Sequence, residues 1–549
     1  MSKAEKERPT SHVKALEPGT LIVSILMAAF SAAVCMQIIC KLGITPNTSI
    51  IGAVVAMALA RVPLSSFRAF RSLERQNLVQ TMTSAGGFGA ANCVLLSVGI
   101  LYLMGYRNLV VPMAIGSFAG MLVDIFFVWR VYDTPLFPAS APWPPGVATA
   151  QAIVAGDEGG KKARRLLEGI AAGAVGSYFK LPMAGVGIVF IANIFAMGAL
   201  GAGLVIRGYS VKLLSMDLGK TYIPHGIMIG AGIVSLIQAA NIIIKGYRKG
   251  RPVELPAVSG STDPGSPSAD GAHKTTSDED VPTTVPAKEI PKAMWQSGLL
   301  FLVGAAVLAV VSGILTSMTA SQILTWTVWA TFSALVSTIL VGMCAMHSGW
   351  FPGFAITVIF LTLGVFMKLP AVPLALLTGY VTSTGPCLAD LGYDLKTGWL
   401  LRGKGRDPAY EVDGRRQQFI SELVGAVVAT AVVLLFMDMH FKLDLLPPVS
   451  RVFAATVKAG ASPAIIRELV LWAIPGAILQ AVGGTGRALG ILFATGLLIN
   501  NPIYGIGVLV AIVVRLIIGT EPMEVREAGL IAGDGIYGFV SALIKTFAG

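Results

Sequence analysis

Apolar residues run nearly uninterrupted over positions 19–42, 108–129, 183–206, 222–244, 295–317, 322–346 and 416–437. Each run approaches or exceeds the ~20 residues a helix needs to cross a bilayer, so each is predicted to be one helical span. Shorter or interrupted apolar runs fill much of the remainder. At ~20 residues plus a connection each, the expected fold is an all-α polytopic membrane protein with about 14–16 membrane segments. A barrel is excluded, because barrel strands alternate in hydrophobicity. Residues 1–18 are polar, which places the first apolar run too late and makes it too long for a cleaved signal peptide; it is expected to remain as the first span.

Composition agrees. The chain has 549 residues, 54% hydrophobic and 13% charged, with a mean hydropathy of +0.73, whereas soluble domains carry roughly 25% charged residues. The net charge of +11 does not indicate a nucleic-acid partner, because the basic residues cluster at Lys3–Lys14, Arg61–Arg75, Lys161–Arg165, Lys245–Arg251 and Arg402–Arg416, between apolar runs. The positive-inside rule puts these clusters and the N-terminus in the cytoplasm; the expected location is the cytoplasmic (plasma or inner) membrane. An even number of crossings must then separate successive clusters, yet three apolar runs lie between Arg165 and Lys245. One of them is not a simple span. The short run Leu166–Pro182 and the stretch "PWPPGVATAQAIVAG" (Pro142–Gly156), as a half helix, are the candidates to absorb the mismatch. Broken segments are tolerated at membrane depth where they line protein or a cavity, and such places are often binding sites.

Residues 250–292 are rich in Pro, Ser, Thr, Gly and Asp and cannot bury a core. The expected organisation is a cytoplasmic tail (1–18), a first transmembrane half (19–248), a flexible cytoplasmic linker (249–293) and a second transmembrane half (294–549). "GIMIGAGIVSLI" (226–237) and "GLIAGDGIYGFV" (529–540) place glycines identically at an offset of 303 residues, and "GIVF" (187–190) matches "GILF" (490–493) at the same offset. A two-fold internal repeat is predicted, although small residues also recur in membrane helices to let backbones approach. "LLINNPIYG" (Leu497–Gly505) is either a turn between spans or a kink.

The stretch "RQNLVQTMTSAGG" (Arg75–Gly87) opens a membrane-length segment with amides and hydroxyls. On a helix, Gln76, Gln80, Thr83 and Ser84 share a face, with Asn77 and Thr81 beside them. Such a stripe suits a peptide backbone or carboxylate, or else it bonds neighbouring helices at under ~1 kcal/mol per bond. Trp143–Ala150 carries prolines with Gly146 and Thr149, and reads as an irregular functional segment or a cytoplasmic loop. "STGPCLADLGYDLKTGWLL" (Ser383–Leu401) holds Asp390, Asp394 and Lys396, which either bind ions or form a solvated interface loop. The five cysteines, with no CxxC, read as small core residues. "GDEGGKKA" (Gly156–Ala163) has the wrong glycine spacing for a phosphate loop, and HExxH, GxSxG and His/Cys clusters with metal-ligand spacing are lacking. No ATP site, resident metal or other cofactor is expected.

Three separated stretches together resemble the oligopeptide transporter superfamily, in particular the branch of yellow-stripe-like metal-chelate carriers and their bacterial relatives. "RQNLVQT" (Arg75–Thr81) is similar to that branch's RQENxVIQT, "PPGVATA" (Pro144–Ala150) resembles PSGxATA, and "DLKTGWL" (Asp394–Leu400) resembles DxKTGYL. "RRQQ" (Arg415–Gln418) then resembles the segment leading into the next span. The matches keep family order across both halves. Pro145 replaces a serine, Trp399 replaces a tyrosine, one glutamate is missing, and the NPG and KIPPR signatures of the eukaryotic peptide-transporting branch are absent. The resemblance implies a secondary active, proton-coupled importer of oligopeptides or peptide-like metal chelates, not an enzyme; a transported chelate brings its own metal. It points to substrate binding by Gln76, Asn77, Gln80, Thr81, Ser84, Gly146, Thr149, Gln151, Asp394, Lys396 and Thr397.

Acidic residues in apolar surroundings are the proton-coupling candidates: Asp534, between two glycines and opposite Ala231 in the repeat register; Glu422, one turn past Gln418; and Asp124, which has Arg130 nearby for a structural ion pair. His225 and His347 read as interfacial. The competing classes are a passive channel for small polar solutes, which needs no gradient, and a membrane-embedded enzyme, for which no paired catalytic constellation is present. Expected partners are the substrate, protons and the lipid bilayer, and a homo-oligomer is plausible for such a carrier.

Overall fold

The computed structural model describes residues 12–42, 52–53, 69–218, 221–249, 283–349, 351, 353–459 and 463–547. Most of the expected linker, 250–282, lies outside the described residues. In chain order the helices are α1 (Pro18–Leu42), α2 (Leu73–Leu103), α3 (Val110–Val131), α4 (Pro144–Glu158), α5 (Gly160–Tyr178), α6 (Met183–Ile191), α7 (Ile194–Leu214), α8 (Ile223–Lys249), α9 (Glu289–Val311), α10 (Ala320–Ser348), α11 (Gly353–Phe366), α12 (Ala371–Thr382), α13 (Pro386–Leu401), α14 (Pro408–Lys442), α15 (Pro448–Ala459), α16 (Pro463–Arg487), α17 (Leu489–Leu498), α18 (Pro502–Ile518) and α19 (Arg526–Phe547). Among the described residues there is no strand beyond one isolated bridge. Among the described residues, seven helices are long and apolar enough to cross a membrane, and shorter apolar helices accompany them. The protein is an all-α polytopic membrane protein.

The predicted span 183–206 is two helices. Asn193 interrupts it: its side chain accepts from the amides of Phe195 and Ala196 at 3.0 and 3.2 Å, which starts α7 and leaves α6 only nine residues long. At 1.5 Å per residue α6 rises roughly 13 Å, less than half of the ~30 Å hydrocarbon core. Arg515 donates to the carbonyls of Val189 and Ala192 at 2.5 and 2.8 Å, satisfying the end of α6. The interval with the odd run count thus contains a half-length helix. The second half repeats the device: "LLINNPIYG" is a turn, in which Asn501 accepts from the amide of Tyr504 at 3.1 Å and separates the ten-residue α17 from α18.

The matched glycines serve equivalent contacts. Side chains at Gly226 and Gly230 of α8 would collide with Leu469, Trp472 and Ala473 of α16; at Gly529 and Gly533 of α19 they would collide with Leu166, Gly169 and Ile170 of α5. Each repeat's last helix therefore packs on the other repeat, at backbone distances only small residues permit. The pairing extends to α6 on α19 and α17 on α8.

Glu289 opens α9, and before it the amide and hydroxyl of Thr284 donate to Asp133 Oδ2 at 2.9 and 2.6 Å, fastening the chain to the body. The end of the tail is also held, with the His12 amide donating to Asp413 at 3.1 Å and the Ala15 amide to Gln417 at 3.0 Å.

Candidate polar and carboxylate site

The amide-rich stripe sits in α2, the most enclosed of the long helices, between α1, α13 and α14. Every residue from Gln76 to Phe88 is buried. Buried polar groups need partners, and two side chains of the stripe find one across helices. Gln80 Nε2 donates to Asp394 Oδ1 and Ser84 Oγ donates to Asp390 Oδ1. Each pair lies four residues apart on its own helix, so one face of α2 meets one face of α13, and the reversed order makes the helices antiparallel. Not all of the stripe shares this role: Gln76 donates to the Phe70 carbonyl at 2.9 Å and Thr83 to Val79 of its own helix at 2.7 Å.

Glu422 of α14 completes the site. Carboxylate oxygens of Asp390, Asp394 and Glu422 all lie within 4.8 Å of one another, and none of the three residues is more than 1% exposed. One turn earlier, Gln418 donates to the Asp394 carbonyl at 2.6 Å and to Thr81 Oγ1 at 3.2 Å. The reading of Ser383–Leu401 as a solvated loop is thereby corrected: Pro386–Leu401 is a buried helix whose acids are enclosed by α2 and α14. Such a cluster gathers titratable groups at depth, where each ionised carboxylate is costly unless compensated.

The third motif meets the second. Trp143 adopts a left-handed backbone (φ 41°) between two prolines, a conformation costing about 1–3 kcal/mol. It is held by its indole donating to the Pro138 carbonyl at 3.1 Å, and its amide to Met346 at 2.9 Å. This aims the start of α4 at α13: a Cβ on Gly146 would run into the Tyr393 carbonyl and the Lys396 side chain, and Thr397 Oγ1 donates to the Gly146 carbonyl at 3.0 Å. Lys396 donates to the Ala139 carbonyl at 2.7 Å with its ammonium 4.5 Å from the Trp399 ring centre. Thr149 bonds the Pro145 carbonyl of its own helix at 2.9 Å, while Gln151 reaches Glu527 of α19 at 3.1 Å. The buried α4 entrance is no ordinary cytoplasmic loop.

Asp124 Oδ2 accepts from the amides of Gly385 and Leu388 at 2.9 and 2.8 Å, capping α13 across the break after α12. Asp534 belongs to a different place: it accepts from Ser177 Oγ, and from the Ala184 amide at 2.7 Å at the start of α6. His347 is buried, 6% exposed, and its backbone carbonyl accepts from the Asn193 amide at the broken span. Cys35, Cys93, Cys344 and Cys387 are buried and Cys40 is half-buried; Cys93 and Cys387 lie 3.6 Å apart, sulfur to sulfur, beside the site.

Two features escaped the sequence reading. Arg402 grips Glu411 with two hydrogen bonds, of 2.8 and 3.0 Å, Arg415 adds a 3.4 Å contact, and Arg402 donates to Gln418 Oε1 at 2.9 Å, so this buried network leads directly into the site. Its residues looked like one more basic loop. Within α2, Gly89–Leu95 is a π-helical stretch, of a kind that often marks functional sites and has no sequence signature. A cavity of about 400 Å³ lined by residues including Arg207, Tyr222, His225 and Thr362 contains none of the predicted substrate residues.

A family model for the OPT oligopeptide transporter protein matches residues 19–216 and 210–545. No curated protein matches the chain.

Proposed function

Since the chain belongs to the oligopeptide transporter family, we propose that it is a secondary active, proton-coupled importer of oligopeptides or peptide-like metal chelates across the cytoplasmic membrane. The observation that carries this reading is the convergence of α2, α4 and α13: motifs at residues 75–81, 144–150 and 394–400 meet in one buried polar region. Amides and hydroxyls of Gln80, Thr81, Ser84 and Thr397 match the donors and acceptors of a peptide backbone, and Gln76, Asn77, Gly146, Thr149, Gln151, Asp394 and Lys396 are assigned to substrate binding with them. These groups bond one another here, so admitting a substrate means parting α2 from α13 and exchanging Gln80–Asp394 and Ser84–Asp390 for substrate contacts. Glu422, Asp124 and Asp534 are the coupling carboxylates. Glu422 is the strongest of them, since neither of its oxygens has a hydrogen-bond partner among the described residues. The test is uptake of short peptides and of free and iron-loaded peptide-like chelators into proteoliposomes. Gln80→Ala and Glu422→Gln should each lower gradient-driven uptake while leaving folded protein in the membrane, and unchanged kinetics in both would remove the site assignment.

A further inference from the structure

We propose that Asp390, Asp394 and Glu422, together with the side-chain oxygen of Gln80, form a binding site for a hard divalent metal cation. This deepens the reading of the cluster as the transporter's charge-handling centre. Two oxygens bound to one ion at roughly 2.4 Å stand at most about 4.8 Å apart, and the three carboxylates supply oxygens that all lie within 4.8 Å of one another. Geometry alone would leave only an acidic cluster. Gln80 adds a second, independent indication: its Nε2 is committed to Asp394 Oδ1, which fixes the orientation of the amide head. The remaining atom, Oε1, is a pure acceptor, completely buried, with no partner among the described residues. Both Glu422 oxygens and Asp390 Oδ2 are in the same position. Buried acceptors left without donors at one place are what a cation satisfies.

The donor chemistry selects the class. Every available atom is a carboxylate or amide oxygen, the set suited to Mg²⁺, Ca²⁺ or Mn²⁺ rather than to soft metals. The neighbouring thiols of Cys93 and Cys387 are engaged with each other. The nearby guanidinium groups of Arg402 and Arg415 bond Glu411, and the Lys396 ammonium bonds the Ala139 carbonyl. A divalent ion offsets more of the cluster's charge than a monovalent one.

The experiment titrates Mn²⁺ into the purified full-length protein after EDTA treatment, following free Mn²⁺ by electron paramagnetic resonance, with Ca²⁺ as competitor. One saturable site per chain is expected, at least about tenfold weaker in Glu422→Gln and in Gln80→Leu, and unchanged in Glu168→Gln on the surface. Absence of saturable binding by folded wild type, or wild-type affinity in both site variants, overturns the proposal. In proteoliposomes, lumenal accumulation identifies Mn²⁺ as carried, and binding without accumulation identifies it as resident; either supports the site. Proton-driven peptide uptake by a protein that binds no Mn²⁺ would defeat this inference alone. Mn²⁺ binding without any uptake would defeat only the importer reading.

Discussion

The half helices α6 and α17 hold matching positions in the two repeats, yet their first amides are satisfied differently. At α6 the acceptor is the carboxylate of Asp534, brought by α19. At α17 it is the amide oxygen of Gln480 from α16, bonded to the amides of Gly490 and Ile491 at 3.1 and 3.3 Å. The residue of α8 in the register of Asp534 is Ala231, which occupies the space a side chain on Gly490 would need. A neutral amide therefore suffices to start a half helix in this fold. The carboxylate at α6 brings something more, an ionisable group in one repeat only. The central site shows the same imbalance: α13 and α14 of the second half provide the acids, while α2 of the first half provides neutral Gln80 and Ser84. In both places the acids come from helices of the second half.

The largest effect is expected where the charged side is anchored. Glu411→Ala leaves Arg402 and Arg415 buried without their carboxylate, and should lower stability by about 3–5 kcal/mol, read as a drop in melting temperature in detergent. A side chain on Gly146 would strike the Tyr393 carbonyl. Gly146→Leu should cost about 1–3 kcal/mol and abolish uptake, since it forces α4 off α13.

The two caps sharpen the comparison directly. Asp534→Ala and Gln480→Ala should each destabilise by about 0.5–2 kcal/mol, but only the Asp534 variant should change the number of protons entering per substrate, measured from internal pH in proteoliposomes. Equal coupling in both variants would reduce Asp534 to a cap.

The smallest effect concerns the tail. Burial, reinforced by the charge of Arg402, holds the His12 imidazole below its ordinary value of 6.5. On acidification through pH ~6.5 the unfolded chain takes up this proton before the folded one, so His12 contributes a loss of stability as pH falls, regained above ~6.5. His12→Asn should flatten that slope in melting curves recorded across this range.

Long spans were legible because twenty apolar residues have little alternative in a bilayer, and the ends of α1, α3 and α10 fall within a few residues of the runs that predicted them. The break in 183–206 was not, because one asparagine in an apolar run looks like a tolerated polar residue until its side chain is seen capping a helix. The repeat could be read from glycine spacing, since close helix packing constrains small residues in register. Gln80 and Asp394 were each legible as candidates, but their pairing spans 314 residues and leaves no local trace. Asp390 and Lys396 looked loop-like because charge in sequence says nothing of partners in space. The Arg402–Glu411–Arg415 network hid in a basic cluster for the same reason.

The most direct test of the account is uptake into proteoliposomes under an imposed inward proton gradient, with internal pH recorded, for the wild type and Glu422→Gln side by side. The account predicts substrate-dependent acidification by the wild type and its loss in a folded Glu422→Gln protein. Substrate accumulation without acidification, or coupling undiminished in Glu422→Gln, would contradict it.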